Sequence, residues 1–151
     1  MNDYCIYLKV EPYLKHFLES SFGNPVRVDK DGPEARIIRK FITKTPAESS
    51  PDLGQDSNLS VVIPYFKEAD PRVYNYMGKR AKETLIESFN HLLDLCLFRE
   101  LGKLENMKRG QIRNQIFAWM EIHGISEDSW DTISQKYYRM RKRYSKNNIK
   151  L

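Results

Sequence analysis

Between Trp130 and Tyr144, five large apolar residues (Trp130, Ile133, Tyr137, Met140 and Tyr144) recur at spacings of 3, 4, 3 and 4. An α-helix places residues so spaced on one face, so this stretch has to lay a continuous stripe against the rest of the chain. A second set, Thr132, Lys136, Arg139, Arg143 and Lys146, is spaced 4, 3, 4 and 3 and forms another face, mostly basic. Ser126 is a good N-cap for this helix, and Glu127, Asp128 and Asp131 complement the positive end of its dipole. His123-Gly124-Ile125 predicts a tight turn before it, with Gly124 supplying the left-handed conformation. Upstream, Gly110 to Ile122 reads as a helix, and so does a longer stretch from about Lys79 to Leu104, with Leu85, Ile86, Phe89, Leu92, Leu93, Cys96 and Leu97 on a wide apolar face. Asp70-Pro71 looks like a helix cap with proline behind it, and the chain reads helical from there on. Two helices joined by a short Gly-containing turn make a helix-turn-helix outline, so residues 70–151 read as a three-helix, helix-turn-helix-like unit.

Residues 1–69 follow a different pattern. Tyr4 to Val10 alternates as a strand does, with Ile6, Leu8 and Val10 on one face. Pro12 opens a helix whose stripe is Tyr13, Leu14, Phe17 and Leu18, and Gly23 closes it. Val26 to Val28 reads as a short strand, and Lys30 to Pro33 as a turn. Ala35 to Thr43 fits either a helical face or a β-branched strand, and helix is favoured. Thr43 to Asn58 is rich in Ser, Pro, Asp and Thr, the signature of an exposed, mobile loop. Leu59 to Ile63 is a strand stopped by Pro64. The expected fold class is therefore α+β, a small mixed-sheet N-terminal unit followed by the three-helix unit.

Charge narrows the function. The net +5 resolves into −1 over Met1–Phe98 and +6 over Arg99–Leu151, and residues 134–151 hold seven basic side chains and no acidic one. Such asymmetry points to a nucleic-acid or membrane partner, or to a basic tail at the negative end of a helix dipole. No apolar run approaches the length of a membrane span, and Met1 to Cys5 lacks the basic-then-apolar pattern of a secretory signal. Cys5 and Cys96 are too few for a disulfide framework and read as buried thiols in a reducing cytoplasm. Hydrophobic residues at 40%, with 12% aromatic, argue against disorder.

A helix with an aromatic core face and an Arg/Lys face has what docking in a groove of duplex DNA needs. The expected contacts are Lys136, Arg139, Lys142, Arg143 and Lys146, with Arg139 the candidate for a base contact and Lys142 included for its place in the cluster. Glu127, Asp128 and Asp131 would be repelled by phosphate, so contact is expected through the helix's second half rather than its N-terminus. The alternative is a protein-interaction module whose basic helix binds an acidic partner. Either way the N-terminal unit would mediate oligomerisation, a homodimer included, or a protein contact.

Other chemistry is poorly supported. His16, His91 and His123 are the only histidines, and His91, Asp94 and Cys96 do not converge by spacing alone, so neither metal nor cofactor is expected. Nucleophile, phosphate-loop and dinucleotide motifs are lacking, and no enzymatic activity is expected. Glu83 and Glu87 read as a solvated edge. Tyr65-Phe66 and Tyr74-Asn75-Tyr76, beside Lys67, Arg72, Lys79 and Arg80, could stack on single-stranded bases, but packing between the two units is the favoured reading.

The segments Asp70 to Met77 with Arg80-Ala81-Lys82, Phe117 to Ile125, and Tyr137 to Tyr144 resemble a family of small bacterial proteins that is similar to proteins encoded by phages and transposable elements. The resemblance implies a bacterial, mobile-element accessory or transcriptional regulator that binds DNA. It implies no active site.

Overall fold

Hydrophobic alternation turns Cys5–Leu8 into strand β1, with Ile6 and Leu8 buried. The computed structural model describes residues 4–102 and 107–146, with side chains as far as Arg143. Strand β1 is followed by α1 (Pro12–Phe22), α2 (Pro33–Phe41), β2 (Thr43–Lys44), β3 (Leu59–Val62) and β4 (Tyr74–Tyr76). Helices α3 (Lys79–Leu101), α4 (Arg109–Ile122) and α5 (Trp130–Lys146) complete the order, with a single 3-10 turn, Glu127–Ser129, leading into α5. Two small antiparallel sheets and five helices among the described residues make this an α+β fold.

Strand β3 is the inner strand. Its antiparallel neighbour is β1, in the register Cys5↔Val62 to Leu8↔Leu59. On the other edge Val26 bridges Val61 in parallel, its N–H donating to Ser60 O and its carbonyl accepting from Val62 N, each at 2.8 Å. The strand expected over Val26–Val28 thus shrinks to one bridge, because the next rung would need an N–H from position 64, where Pro64 has none, while the Arg27 N–H, on the side away from β3, turns back to Phe22 O at 3.3 Å. Proline stands in the first turn of both α1 and α2, where a missing N–H costs nothing; of the 35–43 stretch, α2 takes the residues up to Phe41, Ile42 is extended, and Thr43 starts β2.

The expectation of helix from Asp70 onward is corrected. Asp70 Oδ1 accepts the Arg72 N–H at 2.9 Å, forming a turn rather than a helix cap, and Tyr74–Tyr76 then pairs as β4 with β2. The next helix starts at Lys79, behind Gly78.

Helix α3 is the spine. Every fourth residue from Leu85 through Phe89, Leu93 and Leu97 to Leu101 is buried, while Ile86, Leu92 and Cys96 sit half-buried at the edges of that row. One apolar cluster runs from Ile6 to Tyr137, and the β2–β4 pairing crosses residue 70. The loop before β3 leaves Leu53 72% exposed, yet it is pinned. Asp52 pairs with Lys82 at the start of α3, and the Asn58 side chain bridges Val10 N and O at 2.8 and 2.7 Å. No helix among the described residues is long and apolar enough to cross a membrane.

Candidate nucleic-acid interface

The two last helices are joined as the residues between them require. Gly124 has φ +68°, in the region where a side chain is disfavoured, and Ile125 N donates to Met120 O at 2.9 Å to close the end of α4. Ser126 Oγ accepts from Asp128 N at 3.2 Å, capping the 3-10 turn Glu127–Ser129 that leads into α5 rather than α5 itself. Ile133 and Tyr137 then bury completely, with Trp130 and Met140 packed beside them. Trp130 stacks on Phe117 of α4 at 4.2 Å between ring centroids. The apolar stripe is thus the seat of α5, except that the side chain of Tyr144 lies outside the described residues.

The basic stripe divides. Lys136 Nζ is 2.9 Å from Asp94 Oδ1 of α3 and 5.5 Å from the centroid of the Tyr13 ring, with its side chain 20% exposed. It is a structural tie rather than a free cation on a docking face, because α3 passes beneath that side of α5. Arg139, Lys142 and Arg143 are exposed and make no ion pair among the described residues. The side chain of Lys146 lies outside the described residues.

Two cations not anticipated above complete the site. Arg109 and Arg113, one turn apart at the start of α4, face Arg139 and Lys142 across a groove of about 690 Å³. Trp130 and Tyr138 line the same groove, and it has no acidic residue among its described lining. The Arg113 guanidinium lies over the Phe117 ring, 5.6 Å from its centroid, which fixes its orientation. Arginines at a helix's positive end are electrostatically unfavourable for the helix itself, so an incoming anion would relieve that repulsion. Arg139 borders this groove and also a second depression of about 320 Å³ against α3, which Arg143 lines too. The acidic residues Glu127, Asp128 and Asp131 are exposed at the far end of α5.

Sequence spacing puts Arg109 and Arg113 on one helical face, so part of the signal was present. Which stretch of α5 that face meets depends on how the two helices cross, and residue spacing does not carry that.

The remaining candidates fall out as follows. Tyr74 packs on the core with Lys44 Nζ 5.5 Å from its ring centroid, Phe66 is buried, and Tyr65 is exposed. His91 and Asp94 line the depression between α3 and α5, whose described lining holds no Cys. Cys5 and Cys96 are not joined in a disulfide, and both are half-buried rather than buried. Cys96 meets different partners, Glu100 one turn on and His123 at the end of α4. Burial, with the Glu100 hydrogen bond next in weight, pushes the Cys96 thiol up to about 12. A comparison with protein families, curated proteins and solved structures finds no match to this chain.

Proposed function

We propose that the chain is a non-catalytic protein that binds duplex DNA, laying the second half of α5 and the first turn of α4 along the phosphate backbone. The observation that carries this reading is the groove, with four cations (Arg109, Arg113, Arg139 and Lys142) around an aromatic floor and no described acid. Phosphate contacts position a protein on DNA, and guanidinium groups make them in forked, bidentate geometry. Arg139, between the two depressions, is the side chain proposed for a base edge, and Arg143 extends the phosphate-binding surface. The helix-turn-helix-like pair and the family resemblance favour service as a transcriptional regulator or mobile-element accessory.

Fluorescence anisotropy on duplex DNA, single-stranded DNA and RNA at two salt concentrations tests this. Five cations on phosphate predict an affinity loss of about 10²–10³-fold between about 50 and 200 mM salt. Arg109→Ala with Arg113→Ala should weaken binding to every duplex and flatten the logarithmic salt slope by about two, with no change in melting temperature. A salt-independent signal, preference for a single strand, or equal affinity of the double variant overturns the reading. Retention of only an acidic protein in a pull-down would do the same.

A further inference from the structure

We propose that Cys96, Glu100 and His123 form a binding site for one divalent metal ion of the zinc class, with a fourth position open to solvent. Cys96 Sγ lies 3.1 Å from Glu100 Oε1 and 3.9 Å from His123 Nε2, and Nε2 lies 3.3 Å from Glu100 Oε2. Around a tetrahedral zinc ion, with its usual bond lengths to sulfur, nitrogen and oxygen, donor atoms stand about 3.3–3.6 Å apart. The Sγ–Nε2 edge matches that spacing to within about half an ångström, and with a single Glu100 oxygen as the third donor all three atoms lie within 4.8 Å of one another, so a small rotation of the carboxylate closes the face. Among the described residues no other three such donors converge.

The same distances exclude a catalytic relay. A Cys–His–Glu relay needs the thiol on one imidazole nitrogen and the carboxylate on the other. Here one nitrogen, Nε2, faces both groups, which is the arrangement of ligands around a common centre.

The scaffold is rigid. Cys96 and Glu100 share a face of α3 one turn apart, and His123 caps α4 with its N–H on Trp119 O at 3.1 Å. Its ring is packed against Phe17 and Trp119, at centroid distances of 5.4 and 4.6 Å. Trp119 Nε1 is buried without a well-formed hydrogen bond, yet it is near enough to Glu100 to favour the carboxylate. A donor so placed can hold the carboxylate oxygen that the metal leaves free. On binding, the Cys96 thiol releases its proton to solvent, the resulting thiolate and the Glu100 carboxylate neutralise the divalent ion, and sulfur with imidazole selects zinc-class metals over calcium or magnesium. The Glu100 side chain is 41% exposed, so the open position has access to water.

The test uses the full chain stripped with chelator and titrated with Co²⁺, then Zn²⁺. The expected result is one equivalent of Co²⁺ bound with a thiolate-to-cobalt charge-transfer absorption, which Zn²⁺ displaces. Cys96→Ser should abolish that absorption, and Cys5→Ser should leave it intact. Glu100→Gln and His123→Gln, which keep the thiol, should weaken the affinity by at least about tenfold, and Trp119→Phe by about ten- to a hundredfold. Absence of the absorption, its survival in Cys96→Ser, or its loss in Cys5→Ser overturns the proposal. If Cys96→Ser does not fold, unchanged affinity in both the Glu100 and His123 variants overturns it as well.

Discussion

Lys136 and Arg139 belong to the same predicted basic stripe, but their neighbours give them different roles. The Lys136 ammonium is held between Asp94 and the Tyr13 ring, and the Tyr13 hydroxyl in turn donates to Asn90 Oδ1 at 2.7 Å. Burial raises the Tyr13 phenol above its ordinary range, with the Lys136 charge opposing, so the hydroxyl remains a donor. This small network ties α5 to α3 and α1. Lys136→Met, which keeps the stem and removes the charge, should cost about 0.5–1 kcal/mol of stability. Duplex DNA affinity should stay within about twofold, since this cation is not among those offered to phosphate. Arg139→Ala should do the reverse, weakening binding and leaving the melting curve in place. Melting and anisotropy on the same two samples separate the roles, and a Lys136→Met protein that is fully stable but binds tenfold more weakly contradicts them. Helical spacing identified the stripe correctly as a face. It carried no information on which members α3 would cover, because that depends on a contact between positions 42 residues apart.

At the scale of elements, the joint between α4 and α5 depends on a backbone conformation. Gly124 has φ +68°, and a Cβ there would stand 3.1 Å from Ser20 Cβ on α1. Gly124→Ala should therefore cost about 1–2 kcal/mol from the left-handed backbone alone, with the Ser20 contact adding to it. Gly110→Ala, inside α4 with nothing within 4 Å of its Cβ, should instead stabilise by about 0.5–1 kcal/mol. Urea unfolding of the two variants checks the contrast, and equal stability would refute it. This joint was legible because each of its signals is local: a 3.6-residue period, a glycine, then a serine cap. Strand β4 was not legible, because Tyr74–Tyr76 is a strand only by pairing with Thr43–Lys44, and Asp-Pro opens turns as readily as helices. Val26–Val28 failed for a related reason, since its continuation depends on an N–H from position 64 across the sheet, and that residue is Pro64.

For the whole molecule, what the sequence withheld is the meeting of distant segments. Glu100 and His123 are each unremarkable where they stand, and α3 and α4 have to pack before they face Cys96. The Asp52–Lys82 pair is of the same kind, fastening the polar loop between β2 and β3 to the first turn of α3. Burial works against the Asp52 carboxylate, but the Lys82 hydrogen bond, the Gly54 N–H at 3.0 Å and the Lys82 charge hold its pKa below the ordinary value. A folded-state pKa below the unfolded one stabilises the native chain at pH above the unfolded value, about 3.9, and the contribution fades as pH falls through the lower folded value. Glu100 is also held below its ordinary value, against burial, by the Cys96 and His123 hydrogen bonds, and it acts in the same direction. Asp52→Asn should accordingly lower the melting temperature near neutral pH, by an amount corresponding to no more than about 1 kcal/mol for a pair that still meets water. The gap between parent and variant should then close as the pH is taken below about 4, because the parent loses by protonation what the variant lacks from the start. Thermal melts of both proteins across that range are the check, and a gap that widens on acidification would mean that the loop is held by something other than this carboxylate.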